Sequence, residues 1–395
     1  MRILFFTYPS WNHPAIGSNV QGLIKGFEEL GHTVILCFIN DVSSLRQAAD
    51  MIYVEKSLDF TIGMNNFGMN MLSQQPETPH VSVLLDEPFN NHCIGYEAPL
   101  PKHLITYLDR SDNDILKYIF SLPKYVSKYK KHTLFMPLGG GMNKQPEERC
   151  YDIVYSSGFW PIDDVPSWKK TDSDINNTRL LSILDDALYL MQNFPVNVRD
   201  AFKESLKSRG MYDEEYLHIC LPYFWRVLSY AKPWRKIETV KKLAATGRTI
   251  HLIGNGSPSG SWKDYVSGKN VIFHGALMFD ETLKIIGNSK ILVTDEACFN
   301  DGAHDRVFTG MLNGAAVVAE YSSYLDEQFT NQEDIFFYDW QHTDEHLGIV
   351  HKLLDDDDFR LSAVKKAYNI AINGHTWTNR AKKILDTLAI LYDIK

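Results

Sequence analysis

What this chain lacks narrows it first. Five cysteines in 395 residues (Cys37, Cys93, Cys150, Cys220, Cys298) are scattered, with no Cys-x-x-Cys and no Cys/His spacing. That excludes a disulfide framework or a zinc site as an organising feature and fits a reducing cytoplasm. Positive charge is not in excess: 40 Lys and Arg stand against 49 Asp and Glu, for a net charge of −9, so a basic nucleic-acid groove is not the main surface. No apolar run approaches the roughly 18 residues of a membrane span. The chain also enters Arg2–Phe6 directly, without a signal h-region. Peripheral membrane association stays open. There is no Gly-x-Gly-x-x-Gly after the first apolar run, no Walker A sequence, no His-Glu-x-x-His and no metal-binding Asp-x-Asp in a convincing setting. NAD enzymes and P-loop NTPases are disfavoured, and nothing calls for a metal. Internal repeats are absent, and the acidic run Asp355–Asp358 reads as a solvated cap before a helix.

What is present is a long alternation of strand and helix signals. At 44% hydrophobic residues the chain has enough apolar material for real cores, and its length suggests two domains at about 100–200 residues each. Arg2–Thr7 and Thr33–Ile39 read as buried strands around a helix Asn19–Leu30, with Ser18 and Gln21 at capping-box spacing. Further strands are expected at Phe60–Met64, His80–Leu85, Leu104–Leu108 and Thr133–Met136, with a helix around Ile115–Phe120. After the polar stretch Asn143–Arg149 the pattern restarts at Tyr151–Tyr155. Residues from about 172 to 230 carry helical apolar spacing and read as an insertion. The sheet pattern resumes with a helix Ile237–Thr246, strands at Arg248–Ile253, Asn270–Phe273, Lys290–Thr294 and Ala315–Ala319, and helices after about 344. This predicts two Rossmann-like, doubly wound α/β domains facing a cleft, at 1–145 and 150–375. Ligands of such sheets bind beyond the carboxyl ends of the strands, so each loop after a strand is a site candidate.

The richest of these loops lies in Phe299–Ala319, where a polar, Gly-bearing segment opens a short helix that ends at Asn313-Gly314 before a buried strand. Backbone N–H groups at such a helix start carry partial positive charge, and Arg306 in its first turn adds a fork-shaped cation suited to phosphate. Gly158 and the turn Gly254-Asn255-Gly256 would let a ligand approach the chain closely, although tight turns demand glycine in any case. Phe159-Trp160 follows Gly158 directly and is a stacking candidate, while most other aromatic residues read as core.

In this order the features resemble the glycosyltransferases of the GT-B fold, in particular a CgeB-like bacterial group. The matching residues are Val271-Ile-Phe-His-Gly275, Lys290-Ile-Leu-Val-Thr294, His304-Asp-Arg-Val-Phe308, Asn313-Gly-Ala315, and Gly374-His-Thr-Trp377 followed by Arg380-Ala381. The resemblance implies a C-terminal domain that holds a nucleotide diphosphate sugar, an N-terminal domain that holds the acceptor, and a last helix, about 376–395, that crosses back to the first domain. It also implies neutralisation of the departing diphosphate by helix N-termini and basic side chains instead of an obligatory metal.

Arg306, His304, Asp301 and Gly302 would then lie on the donor, with Arg235 or Lys236 as a second basic contribution near a helix start. Retaining relatives often carry two Glu eight positions apart here. Asp301 and Thr309 occupy those positions, so the ribose-side carboxylate is missing. Asp301 and His304 serve equally well as loop or cap residues. For an inverting reaction, a base on the acceptor side would come from His13, Asp86, Glu87 or His92, each of which also reads as a turn or solvent-facing residue. The expected activity is transfer of a hexosyl or related group to a glycan, lipid-linked or protein acceptor in bacterial surface assembly. A sugar-nucleotide epimerase and a non-catalytic nucleotide-sugar or glycan-binding partner are the alternatives.

Overall fold

A computed structural model describes residues 1–8, 14–65, 68–72, 77–89, 100–126, 129–143, 149–158, 162, 165–170, 173–254, 261–296, 299–338, 342 and 347–394. They form two units. The first comprises Met1–Gly141 with Ile372–Lys395, and the second Met142–Ala371.

Unit 1 is built on β1 (Arg2–Thr7), β2 (Thr33–Phe38), β3 (Phe60–Met64), β4 (His80–Val83), β5 (His103–Tyr107) and β6 (His132–Phe135). Their order is β2-β1-β3-β4-β5-β6, and every pair is parallel. Ile3 to Phe6 are all fully buried, which is why the strand reads as an unbroken apolar run: helices cover both faces of a parallel sheet. Those helices include α1 (Pro14–Glu29), α2 (Val42–Ala49), the short α3 (Met69–Leu72) and α4 (Asp112–Ser121), with α2 running on into a π-helical turn, Asp50–Glu55.

The helix start expected at Ser18 is a correction. α1 begins at Pro14 and Ser18 is buried within it, because proline's fixed φ and missing N–H suit a first turn as well as any side-chain cap does. The last helix, Trp377–Tyr392, carries a Thr376/Asn379 capping box and packs on α1. Gly22 makes that approach possible, since a Cβ there would lie 2.3 Å from the Trp377 ring.

Unit 2 opens with β7 (Tyr151–Ser156) and passes through α5 (Thr178–Asn193), α6 (Val198–Ser208), α7 (Glu214–Ile219) and α8 (Leu221–Ala245) before β8 (Ile250–Ile253). The helix expected at Ile237–Thr246 is thus only the end of a 25-residue helix with Pro233 inside it. There follow β9 (Val271–Gly275), α9 (Phe279–Gly287), β10 (Ser289–Thr294), α10 (Asp305–Leu312), β11 (Ala316–Glu320), α11 (Ser323–Gln328), β12 (Phe336–Tyr338), α12 (Ile349–Asp355) and α13 (Asp357–Gly374). The order β12-β11-β10-β7-β8-β9, again all parallel, makes a second doubly wound sheet. Ile153, Tyr155, Val293 and Val318 pack into one layer, while Val154 and Leu292 pack into the other. No described helix is long and apolar enough to cross a membrane.

Candidate functional site

In unit 2 the strand order reverses at β7, which pairs β8 on one side and β10 on the other. At such a switch point the two strand-end loops diverge and leave a crevice. Three polar segments meet there: Ser156–Gly158 after β7, Asp295-Glu296 after β10, and the start of α10. Arg306 joins them. Its Nη1 donates to the Ser156 carbonyl at 2.6 Å and lies 3.5 Å from Asp295 Oδ2. Its Nε lies 3.3 Å from His304 Nδ1. Nη2 has no partner among the described residues, and the side chain is 14% exposed.

Beneath Arg306 lies a buried charge cluster. Asp295 accepts from the Tyr155 hydroxyl at 2.9 Å and faces Lys236 Nζ at 3.9 Å, while Lys236 donates to the Gly158 carbonyl at 3.0 Å. Burial alone would raise the Asp295 pKa. Lys236 and Arg306 outweigh it and hold the carboxyl well below its usual range. With Asp305, whose pKa is also lowered and which faces Arg306, the group sets two carboxylates against the two cations Lys236 and Arg306.

Its neighbour behaves oppositely. Glu296, 3% exposed, accepts the His304 backbone N–H at 2.6 Å through Oε2, and its Oε1 has no hydrogen-bond partner. Burial pushes its pKa well above the ordinary value, against the opposing pull of Arg306 and of the His304 N–H. The two adjacent carboxyls shift in opposite directions because Lys236 and Arg306 outweigh burial at Asp295, whereas burial outweighs Arg306 at Glu296.

Other expected site residues take definite places. His304 is the N-cap of α10 and pairs with Asp305. Burial and the Arg306 guanidinium lower its pKa. Asp301 accepts from Ser323 Oγ at 2.8 Å, and the Gly302 carbonyl accepts from Ser322 Oγ at 2.6 Å. Both tie the loop before α10 to the segment after β11. Gly254 holds φ +113°, and a Cβ there would come within 2.4 Å of the Ser157 carbonyl. Glycine is thus required for the β8 loop to lie against the β7 loop. Thr309 is buried on α10 at 2% exposure. Asn255, Gly256 and Phe159 lie outside the described residues.

Arg235 is placed differently from its sequence expectation. It lies deep in α8, not near a helix start, and is 3% exposed. Its fork donates to the carbonyls of Met191, Phe194 and Val196 and to Glu320 Oε1 at 3.2 Å. Breaking such a buried pair costs about 3–5 kcal/mol, and the guanidinium is committed to the scaffold instead of to a ligand. Sequence reading missed Asp295, Glu296, Glu320 and Tyr155. Only the adjacency of two acids to the end of an apolar strand marked the first two.

In unit 1, Asp86 follows β4 and accepts from Asn65 Nδ2 at 3.2 Å, while Asn65 Oδ1 accepts the Leu85 N–H at 2.7 Å. Asn65, at φ +47°, thereby bridges the ends of β3 and β4 and fixes the carboxylate beyond the strand ends. Glu87 is buried beside it, at 5% exposure. His13 and His92 lie outside the described residues.

With this geometry in hand, comparison with known proteins is informative. Residues 235–386 match the family described as glycosyl transferase-like. Anabaena HepE, solved with UDP and glucose, matches over 99% of this chain and 100% of its own at 12% identity and a TM-score of 0.54. Sucrose-phosphate synthase from Thermosynechococcus elongatus matches over the full length of both chains at 11% identity and a TM-score of 0.57. The T4 phage β-glucosyltransferase covers 98% of this chain and 99% of its own at 12% identity and a TM-score of 0.54. The chain has the GT-B fold, and its segment 235–386 is similar to the glycosyl transferase-like family. No curated protein matches it. The matched family segment begins in α8 and takes in β10, Asp295-Glu296, α10 and the start of the last helix, so it includes Lys236, Asp295 and Arg306 of the switch-point cluster but not Tyr155, Ser156 or Gly158. Among the described residues no group of three or more His, Cys, Asp or Glu is placed to hold a metal ion.

Proposed function

We propose that unit 2 binds a nucleotide diphosphate sugar at its switch point and that the chain transfers the hexosyl or related group to a glycan, lipid-linked or protein acceptor, in bacterial surface glycan or glycoprotein assembly. The observation that carries this reading is Arg306. Its guanidinium is anchored through Nη1 at the end of β7, and Nη2 has no partner among the described residues, at the strand-end switch point where doubly wound sheets take phosphates. The UDP bound to HepE supports a uridine nucleotide as the first donor to try.

In this reading the leaving diphosphate gains negative charge as the glycosidic bond breaks, and Arg306 with the first turn of α10 offsets it without a metal being required. His304 and Asp301 line the sugar side of the same loop. Asp86, held by Asn65, is the leading candidate for the base that takes the acceptor hydroxyl proton, with Glu87 beside it. A second reading, a non-catalytic nucleotide-sugar binder, draws support from Thr309, buried where retaining relatives carry a Glu.

Incubation with a panel of nucleotide sugars, with and without glycan and lipid-linked acceptors, separates these. Release of nucleoside diphosphate that depends on acceptor supports transfer. Interconversion of the sugar without release points to an epimerase, and binding without either reaction leaves the non-catalytic reading.

A further inference from the structure

Unit 1 contains a surface whose charge runs against the rest of the molecule. From Ile115 to His132 there are five lysines, Lys117, Lys124, Lys128, Lys130 and Lys131, with no arginine and no acid. Without these five the net charge of −9 would be −14. The segment spans most of α4, the connection to β6 and the first residue of β6. β6 is an edge strand, half-buried at all four positions.

The lysines interleave with aromatic rings. Lys124 Nζ lies 5.0 Å from the centre of the Tyr125 ring. Lys131 Nζ lies 5.0 Å from that of Phe120 and donates to the Tyr125 carbonyl at 3.2 Å, so connection, helix end and strand start form one patch. Val126 projects from it at 63% exposure, between exposed Lys124 and exposed Lys130. At the border Lys117 is paired with Asp114 at 3.0 Å.

We propose that this edge of unit 1, formed by the end of α4, the connection through Lys131 and the start of β6, docks on an anionic lipid bilayer. Lysine is a compact, hydrated point charge that suits a diffuse layer of anionic headgroups, whereas fork-shaped recognition of individual phosphates along a nucleic acid favours arginine. A half-buried Phe120 and an exposed Val126 among the lysines, over a buried Tyr125, suit the headgroup–acyl boundary. An acidic polymer would use the cations alone. Lys130 and Lys131 also guard the unpaired edge of β6 against strand addition, a role that any charge fulfils. Reversal of sign therefore separates guarding from docking. The inference does not depend on the donor-site reading.

The test is co-sedimentation of the full chain with phosphatidylglycerol-rich vesicles and with pure phosphatidylcholine vesicles, at low and high salt. The wild type should partition at least about tenfold more strongly onto the anionic vesicles, and high salt should remove most of the difference. The double variant Lys124→Glu/Lys130→Glu should lose the preference while keeping the wild-type Tm. Val126→Asp, made separately, should weaken binding with all lysines in place. Equal partitioning onto both vesicles, or undiminished binding by the double variant, would overturn the proposal. Retention on a heparin matrix without vesicle binding would overturn it too, in favour of an acidic polysaccharide partner.

Discussion

Burial raises the pKa of Glu296 above that of a solvent-facing glutamate, and the consequences can be measured at a single residue. Its folded pKa lies above the unfolded value of 4.5 because burial disfavours the charge. The stability linked to it is therefore fully present below the unfolded pKa and is lost as pH rises toward the folded one. Glu296→Gln, which mimics the neutral acid, should gain stability relative to the wild type as pH is raised from about 5 to about 8. Glu296→Ala leaves the His304 N–H unsatisfied and should cost about 1–3 kcal/mol at all pH values in that range. Urea midpoints across that range check both, and a wild-type-minus-Gln difference that stays flat would mean that Glu296 is ionised. Arg235 and Arg306 make the complementary point. Both read in the sequence as arginines near helix starts, yet one donates to three carbonyls and Glu320 while the other's Nη2 has no partner among the described residues. Sequence spacing cannot separate them, because the carbonyls that absorb Arg235 belong to residues about 40 positions earlier.

At the scale of elements, the strands were legible and the helices less so. β1, β3, β10 and β11 are fully or almost fully buried runs, and burial on both faces leaves an apolar string that any hydropathy pattern detects. α8 was legible only in pieces. Leu221, Phe224, Leu228 and Ala231 are buried at helical spacing and Ile237–Thr246 read as a helix of its own, because Pro233 between them reads as a stop. β12 was not anticipated, having three residues and no flanking apolar run. The strand interiors of unit 1 also hold polar residues that pattern reading treats as neutral. His80 bonds Thr61 Oγ1 at 2.8 Å and His103 bonds Ser82 Oγ at 2.9 Å, both in full burial. Burial lowers the His80 pKa from 6.5 to about 3, and that of His103 falls well below 6.5. Below pH 6.5 the unfolded chain takes up protons that the folded strands refuse, so this stability is present above the unfolded pKa and lost as pH falls toward the folded one. Each histidine should contribute a loss of about 1.4 kcal/mol per pH unit in that window. His80→Asn cannot charge and should show a shallower acid limb than the wild type in urea midpoints between about pH 6 and about pH 4. Identical slopes would show that His80 is protonated in the fold.

At the scale of the whole chain, the fold is matched where the sequence is not. Solved structures at 11–12% identity match it over 98–100% of its length, because what the fold asks for is buried parallel strands and loops at their carboxyl ends, which many sequences supply. The same freedom explains why the site was only partly legible. The loop before α10 announced itself through Gly302, Arg306 and Asn313-Gly314, whereas the partners that set its charge, Lys236 from α8 and Tyr155 from β7, are brought together only by the strand order. The central claim is that this assembly holds a nucleoside diphosphate. Calorimetric titration of the wild type and Arg306→Ala with UDP, GDP, CDP and dTDP tests it most directly, with the unliganded Tm of both proteins as the control for folding. At least one nucleotide should bind the wild type, and the variant should bind it at least about tenfold more weakly, the cost of one charge-assisted contact at about 1.5–3 kcal/mol. Binding of none of the four, or equal affinity in a folded Arg306→Ala protein, would contradict the account.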